Sequence, residues 1–328
     1  MSPASTTPPS SRAATIPGRF LAWLPTDVDR RVRVFAWLSF LAEVLIIGTG
    51  GAVRLTGSGL GCPTWPRCTA DSIVNTPEMG IHGIIEFGNR TLTGLVGILA
   101  IVVVVLVWRL RRERRALFVL SLIVLGGVVA QALVGGVTVL TGLNPFIVGF
   151  HYVASVSLVA VCAAFLVLMN APAGPRTLAV PQWFAGLVHT TTAVLALTIV
   201  FGVLTTGAGP HSGDAASVRN GFDAQVLEHV HAWPGYALFF LTLIVVVLAW
   251  RLRLGVRRWA TALLAVELVQ IAVGLYQARN GLPEIAVGTH MVLAALAAAT
   301  MTVVVLRLKE PAVTERPAPP RQTAAARG

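Results

Sequence analysis

The residues of this chain whose types could do chemistry are ionisable groups set in apolar sequence: Glu43, Glu86, Glu228, Glu267, His82, His151, His189, His229, His231 and His290. In a bilayer each costs at least about 2.5 kcal/mol on insertion scales, so each is a candidate for function. Their depth sorts them. His151 and His290 lie a few residues inside the start of their apolar stretches, and Glu86, Asn89, Glu228 and His231 one to two helical turns inside theirs, so all converge on one leaflet. Histidines on facing helices are how a bundle holds a haem between them, and His231 with His290 fits that geometry. The competing reading of a single histidine is a polar group hydrogen-bonded across helices.

His151 has Asn89 where a second histidine would be expected, and an amide is a poor iron ligand. Glu86 lies three residues before Asn89, on the same helix face, as a buried carboxylate able to move a proton; a salt bridge to Arg90 four residues on is the alternative. His82, seven residues before Asn89 and about 10 Å nearer the surface, replaces the missing ligand only if a haem sits shallower. His189 reads as an interhelical hydrogen-bonding group, His229 points to a different face from His231, and His211 falls in a loop.

The elements that must position these groups follow from composition. Of 328 residues, 55% are hydrophobic and 12% charged, with a mean hydropathy of +0.76, outside the range of soluble domains. Stretches able to cross a hydrocarbon core of about 30 Å lie near 34–53, 82–108, 116–139, 147–169, 182–206, 225–250, 259–277 and 285–306. The fold expected is all-α, a polytopic membrane protein of eight helices. The net charge of +11 raises the question of nucleic acid, but 20 of the 25 Lys and Arg fall on one side of the spans. That asymmetry places both termini in the cytoplasm by the positive-inside rule and excludes a nucleic-acid footprint. Residues 1–33 and 307–328, rich in Pro, Ala, Ser and Thr, read as disordered cytoplasmic tails.

The chain repeats itself. Segment 131–151 aligns without a gap on 270–290, pairing Gln131 with Gln270, Gly135 with Gly274, Gly142 with Gly281 and His151 with His290. Segment 84–94 aligns on 226–236, pairing Glu86 with Glu228 and Asn89 with His231, and 53–59 matches 203–209 more weakly. Two tandem four-helix bundles are expected, 34–170 and 182–306 with a linker at 171–181. Four spans being an even number, both have the same orientation, unlike the inverted repeats of many transporters. The repeat turns the balance toward a bis-histidine haem at His231 and His290, and makes the halves unequal, with 34–170 the half where reaction could occur.

Cys62 and Cys68 flank CPTWPRC in the first external loop, while Cys162 is alone in a span. Two close cysteines on an oxidising face favour a disulfide; a redox-active pair is the sharper alternative. The spacing is not that of covalent haem attachment. Arg54 and Arg67 nearby could pair with haem propionates, since Arg suits planar carboxylates, or serve simply at the interface.

With these motifs in order on their helices, namely GLGCPTWPRC, IEFGNR, GGVTVLTGLNPFIVGFH, LEHVH and the His290 segment, residues 34–306 resemble the haem A synthase family. The resemblance implies a cell-membrane oxidoreductase that oxidises a ring methyl of haem O, through an alcohol and a hydrated aldehyde, to the formyl group of haem A. It implies haem B as resident cofactor on His231 and His290, substrate haem iron on His151, and Glu86 as the catalytic carboxylate. The family has a histidine where this chain has Asn89. The cysteine pair fits the class with cysteines in this loop. Haem O synthase, an electron acceptor and a homo-oligomer are partners compatible with that reading. The runner-up is a cytochrome b-type electron carrier without substrate chemistry, and a third reading is a haem-handling transporter or assembly partner.

Overall fold

In the computed structural model, residues 22–312 are described. Among these residues the chain forms eight long helices: α1 (Arg30–Leu55), α2 (Gly80–Val107), α3 (Arg115–Leu140), α4 (Pro145–Met169), α5 (Gln182–Ala208), α6 (Ala224–Arg251), α7 (Arg257–Arg279) and α8 (Glu284–Leu306). All eight are long and apolar enough to cross a membrane. Their outward faces carry exposed Leu45, Ile98, Val129 and Phe240, the pattern of helices whose solvent is lipid.

Local chemistry sets the helix ends. Asp29 accepts a hydrogen bond from the backbone N–H of Val32, so α1 starts at Arg30, four residues before its apolar run. Asp223 caps α6 in the same way through Val226, and Asn144 caps α4 ahead of Pro145. The α3–α4 and α7–α8 turns share one backbone path. Gly142 and Leu143 have φ of 62° and 60°, and Gly281 and Leu282 have 73° and 59°. In each turn the leucine N–H returns to the helix, to the carbonyl of Thr138 at 2.8 Å and of Gln277 at 2.9 Å. The repeat seen in side chains therefore extends to main-chain conformation.

Packing is ordered along the chain. Helix α1 touches α2, α2 touches α3, α3 touches α4 and α4 returns to α1; α5 to α8 close on themselves in the same order. Helix α4 lies against α8, α1 against α8 and α4 against α5. The α4–α8 seam is made of Val156, Val159, Ala163, Ala295 and Ala299, and Tyr152 donates its hydroxyl across it to the carbonyl of Met291 at 2.8 Å. Small residues let the two backbones approach, which is how helices associate where lipid supplies no hydrophobic drive. Lys309–Pro311, which composition assigns to the C-terminal tail, pairs antiparallel with Arg176–Leu178 of the linker. The expected tails otherwise lie at 1–21 and 313–328, outside the described residues.

Candidate functional site

A cavity of about 260 Å³ opens between the helices and is lined from both sets of four. Asn89, His151, His231, His290 and Arg54 all contribute to its wall. The packing thus brings together, in one space, the three histidines and the asparagine singled out from sequence.

His231 on α6 is held by α5. A backbone carbonyl can only accept, so the contact of His231 Nδ1 with the carbonyl of Thr198 at 3.0 Å puts the ring proton on Nδ1 and leaves Nε2 as a free lone pair. His290 on α8 faces it, the ring centroids 6.2 Å apart and the planes at 80°. An imidazole nitrogen bound to a transition metal at about 2 Å puts its ring centre about 3 Å from the metal, so two axial rings on one iron lie about 6 Å apart. The observed spacing agrees with that value, and the buried Nδ1 of His290 has no hydrogen-bond partner among the described residues. Glycines make room for the rings. A Cβ on Gly202 would fall 2.9 Å from His231 Cε1, and one on Gly274 3.0 Å from His290 Cε1. The donor set and the space around it fit a haem.

The first-half arrangement runs parallel. Gly135 backs His151 as Gly274 backs His290, at 3.5 Å. Gln131 donates to the carbonyl of His151 at 2.7 Å, and Gln270 to that of His290 at 3.1 Å. His151 Nδ1 is likewise buried without a partner. Thr49 on α1 donates to Asn89 Oδ1 at 2.8 Å, so the amide nitrogen is the end of Asn89 left over. Thr49 carries no motif because it is a threonine inside an apolar helix, and Thr198 none because it acts through a main-chain carbonyl that every residue has; the repeat would have pointed to α1 and α5 as the supporting helices.

Glu86 is placed differently. It is 4% exposed and does not line the cavity. One oxygen accepts the N–H of Cys62 at 2.6 Å, and the other pairs with Arg90. Arg90 also donates to the carbonyls of Cys62 and Thr64 at 2.8 and 2.9 Å and of Arg67 at 3.2 Å. The pair therefore clamps the loop between α1 and α2 onto α2. Cys62 and Cys68 are joined in a disulfide within that loop, and Trp65 lies over Gly136 of α3, where a Cβ would come within 2.5 Å of the indole. The backbone of His82 passes so close to Gly61 that a Cβ there would lie 2.3 Å from its carbonyl oxygen, and the ring is bonded to Ser58 at 2.9 Å. His82 thus belongs to the loop contact, away from the cavity wall.

Arg54 lines the cavity from the C-terminal end of α1 but spends two donors on the other half, reaching the carbonyls of His211 at 2.8 Å and Thr206 at 3.0 Å. Arg67 reaches the carbonyl of Ala70 within its own loop. His189 and His229 are exposed, and His211 contacts the carbonyl of Leu282 at 2.9 Å. Cys162 is a buried free thiol on α4.

Residues 33–211 match a family model described as cytochrome oxidase assembly protein, COX15-CtaA. The match covers the loop, Glu86, Asn89 and His151 and ends before His231. The chain is also similar to curated proteins named haem A synthase. That of Lysinibacillus sphaericus is 35% identical over 144 residues, 43% of this chain and 45% of the relative. That of Geobacillus kaustophilus is 31% identical over 148 residues, 43% and 44% of the two chains. That of Halalkalibacterium halodurans is 27% identical over 164 residues, 49% and 54%. The chain thus spans about half the length of the curated relatives it matches.

Proposed function

The chain belongs to the cytochrome oxidase assembly protein family, COX15-CtaA, and is a multi-pass membrane protein; on that premise we propose that it is a haem A synthase. In this reading it oxidises a ring methyl of haem O to the formyl group of haem A, in the cell membrane with both termini in the cytoplasm. The observation that carries it is the pair His231 and His290, facing each other at 6.2 Å in a cavity that also takes in His151 and Asn89.

The chain's own groups divide the work. His231 and His290 would hold a resident haem B, which would supply one-electron redox chemistry there. Thr198 fixes the tautomer of His231, and Gly202 and Gly274 leave the rings room to meet one iron. His151 binds the substrate haem from one side. Asn89, turned by Thr49 so that its amide N–H groups are the free end, leaves the opposite side without a strong ligand. Glu86 is the carboxylate that moves protons, held at the outer end of α2 by Arg90 beneath the disulfide loop. The loop is pinned to α3 by Trp65 on Gly136 and to α2 by Glu86 and Arg90. Arg54, bonded to the carbonyls of His211 and Thr206, ties the two halves together.

The test is to purify the protein from cells that make haem O and to analyse the extracted pigments. Haem A or its alcohol precursor, together with haem B, is expected. An intact protein that carries haem B and never yields either product would leave an electron carrier and overturn the enzyme. A second expectation concerns the α5 support. In Gly202→Val the new side chain pushes the His231 ring off the Thr198 carbonyl. Losing a group that orients a ligand costs about 10–100-fold in metal affinity, so haem per protein falls at limiting haem while helix content by circular dichroism is unchanged. Unaltered haem affinity would show that the ring is not held by this contact.

A further inference from the structure

Two carboxyl groups in the middle of the membrane have no part in the scheme above. Glu43 on α1 and Glu267 on α7 are each 3% exposed, and both line the cavity. Glu43 lies 13 residues from the inner end of α1 and 12 from the outer; Glu267 lies 10 and 12 residues from the ends of α7. Both are therefore roughly 15–20 Å from either end of their helix. Neither is hydrogen-bonded to completion. Glu43 Oε1 and Glu267 Oε2 are buried without partners among the described residues, while Glu267 Oε1 accepts from the Thr242 hydroxyl at 2.8 Å.

A carboxylate at this depth needs a counter-charge, or it stays neutral. The cation on the cavity wall, Arg54, is 11 residues from Glu43 on the same helix, about 16 Å away, and is committed to the carbonyls of Thr206 and His211. The other titratable groups facing the cavity are His151 and Tyr152 on α4, His231 on α6 and His290 on α8; Cys162 on α4 is a buried thiol off its wall. None is a permanent cation. Among the described residues no group of three or more His, Cys, Asp or Glu could hold a metal ion there. The carboxyls are also not relics of the duplication, since Val128 stands at the repeat position of Glu267 and Ala193 at that of Glu43.

The missing counter-charge has a source if the cavity holds haem, and the inference rests on that reading. A ferric haem core carries one net positive charge and loses it on reduction. Gln270, which reaches the carbonyl of His290, is one turn above Glu267 on the same face of α7; Thr49, which holds Asn89, is six residues above Glu43 on α1. Each half thus places one uncompensated carboxyl beneath its own ligand level. We propose that Glu267 and Glu43 are the proton-loading groups of the second-half and first-half haem sites respectively. Each is ionised while its haem is ferric. As one electron from a one-electron donor enters that haem, the carboxylate takes up one proton from water, and it returns the proton to water when the electron passes on to a one-electron acceptor. Oxidation that removes hydrogen from a substrate methyl must dispose of protons as well as electrons, and these two groups keep the buried site neutral as it does so.

The test is a redox titration of the haem-loaded full-length protein at several pH values. At a fixed applied potential the ferrous-to-ferric ratio of the second-half haem is expected to fall about tenfold per pH unit across the titration of Glu267. Glu267→Gln removes that dependence, Glu267→Asp restores part of it, and Glu43→Gln leaves it intact while abolishing that of the first-half haem. A protein without any low-spin haem would sink the haem reading itself; haem with a pH-independent potential, or an unchanged slope in Glu267→Gln, overturns the proton assignment alone. Should a variant fail to fold, infrared difference spectra of the unaltered protein decide. A protonated carboxyl C=O band must develop on reduction, and its absence overturns the proposal.

Discussion

Replacing His290 by alanine is expected to abolish the low-spin haem spectrum of the purified protein. His231 and His290 are the pair whose ring spacing agrees with two ligands on one iron, and removing one leaves a single imidazole on α6 with an empty face opposite. Haem content of the second-half site should drop by more than about tenfold, since even the loss of a group that only orients a ligand costs about 10–100-fold in metal affinity. The fold should survive. The ring projects into the cavity rather than into a packed core, and the α4–α8 seam is made by Val156, Val159, Ala163, Ala295 and Ala299, one or more turns deeper. The checks are the optical and paramagnetic resonance spectra of His290→Ala beside its circular dichroism. A folded variant with an intact low-spin spectrum would remove His290 from the ligand set, and with it the assignment of the second half.

Glu86 is where the second large effect is expected, and two substitutions separate its two tasks. Glu86→Ala leaves Arg90 without its carboxylate partner and Cys62 without its acceptor; losing one member of a buried pair costs about 3–5 kcal/mol. The loop should then come away from α2, seen as faster reduction of the Cys62–Cys68 disulfide and faster proteolysis of the loop. Glu86→Gln keeps an oxygen for the Cys62 N–H but cannot exchange a proton at neutral pH. It should hold the loop and the second-half haem spectrum while turnover of haem O falls by about 10²–10⁴-fold, the usual contribution of general acid–base catalysis. Full turnover in Glu86→Gln would show that the carboxylate only anchors the loop. The geometry makes this test informative, because both Glu86 oxygens are engaged by the loop and the cavity wall does not include them.

Much of the architecture was legible from residue types. Apolar runs and the one-sided distribution of arginine mark eight spans, because in lipid every backbone polar group must be satisfied within its own helix. Helix starts were less legible: α1 begins at Arg30, four residues before the apolar run, because Asp29 supplies a cap and polar residues continue a helix past the hydrocarbon. The pairing of His151 with His290 and of Asn89 with His231 was readable as a repeat, and the structure adds that Gly135, Gly274, Gln131 and Gln270 support those rings in matching ways. The salt bridge from Glu86 to Arg90 was readable from their spacing of four, but not that Arg90 also gathers three loop carbonyls. A carbonyl is present at every residue, so sequence does not say which ones a guanidinium will find.

What the sequence determined by itself is the set of spans, the repeat, the inequality between Asn89 and His231, and the list of groups too costly to bury without purpose. Those follow from periodicity and residue type, which are local. Only the tertiary structure decided that His151, His231 and His290 share one cavity, that Arg54 reaches across to residues more than 150 positions away, that Glu86 faces the loop, and that Glu43 and Glu267 border the same space with no cation paired to either among the described residues. Lipid-facing and partner-facing sides of these helices are alike in hydrophobicity. Which side meets which is settled by close packing of small residues and by a few interhelical hydrogen bonds, and neither leaves a period in the sequence.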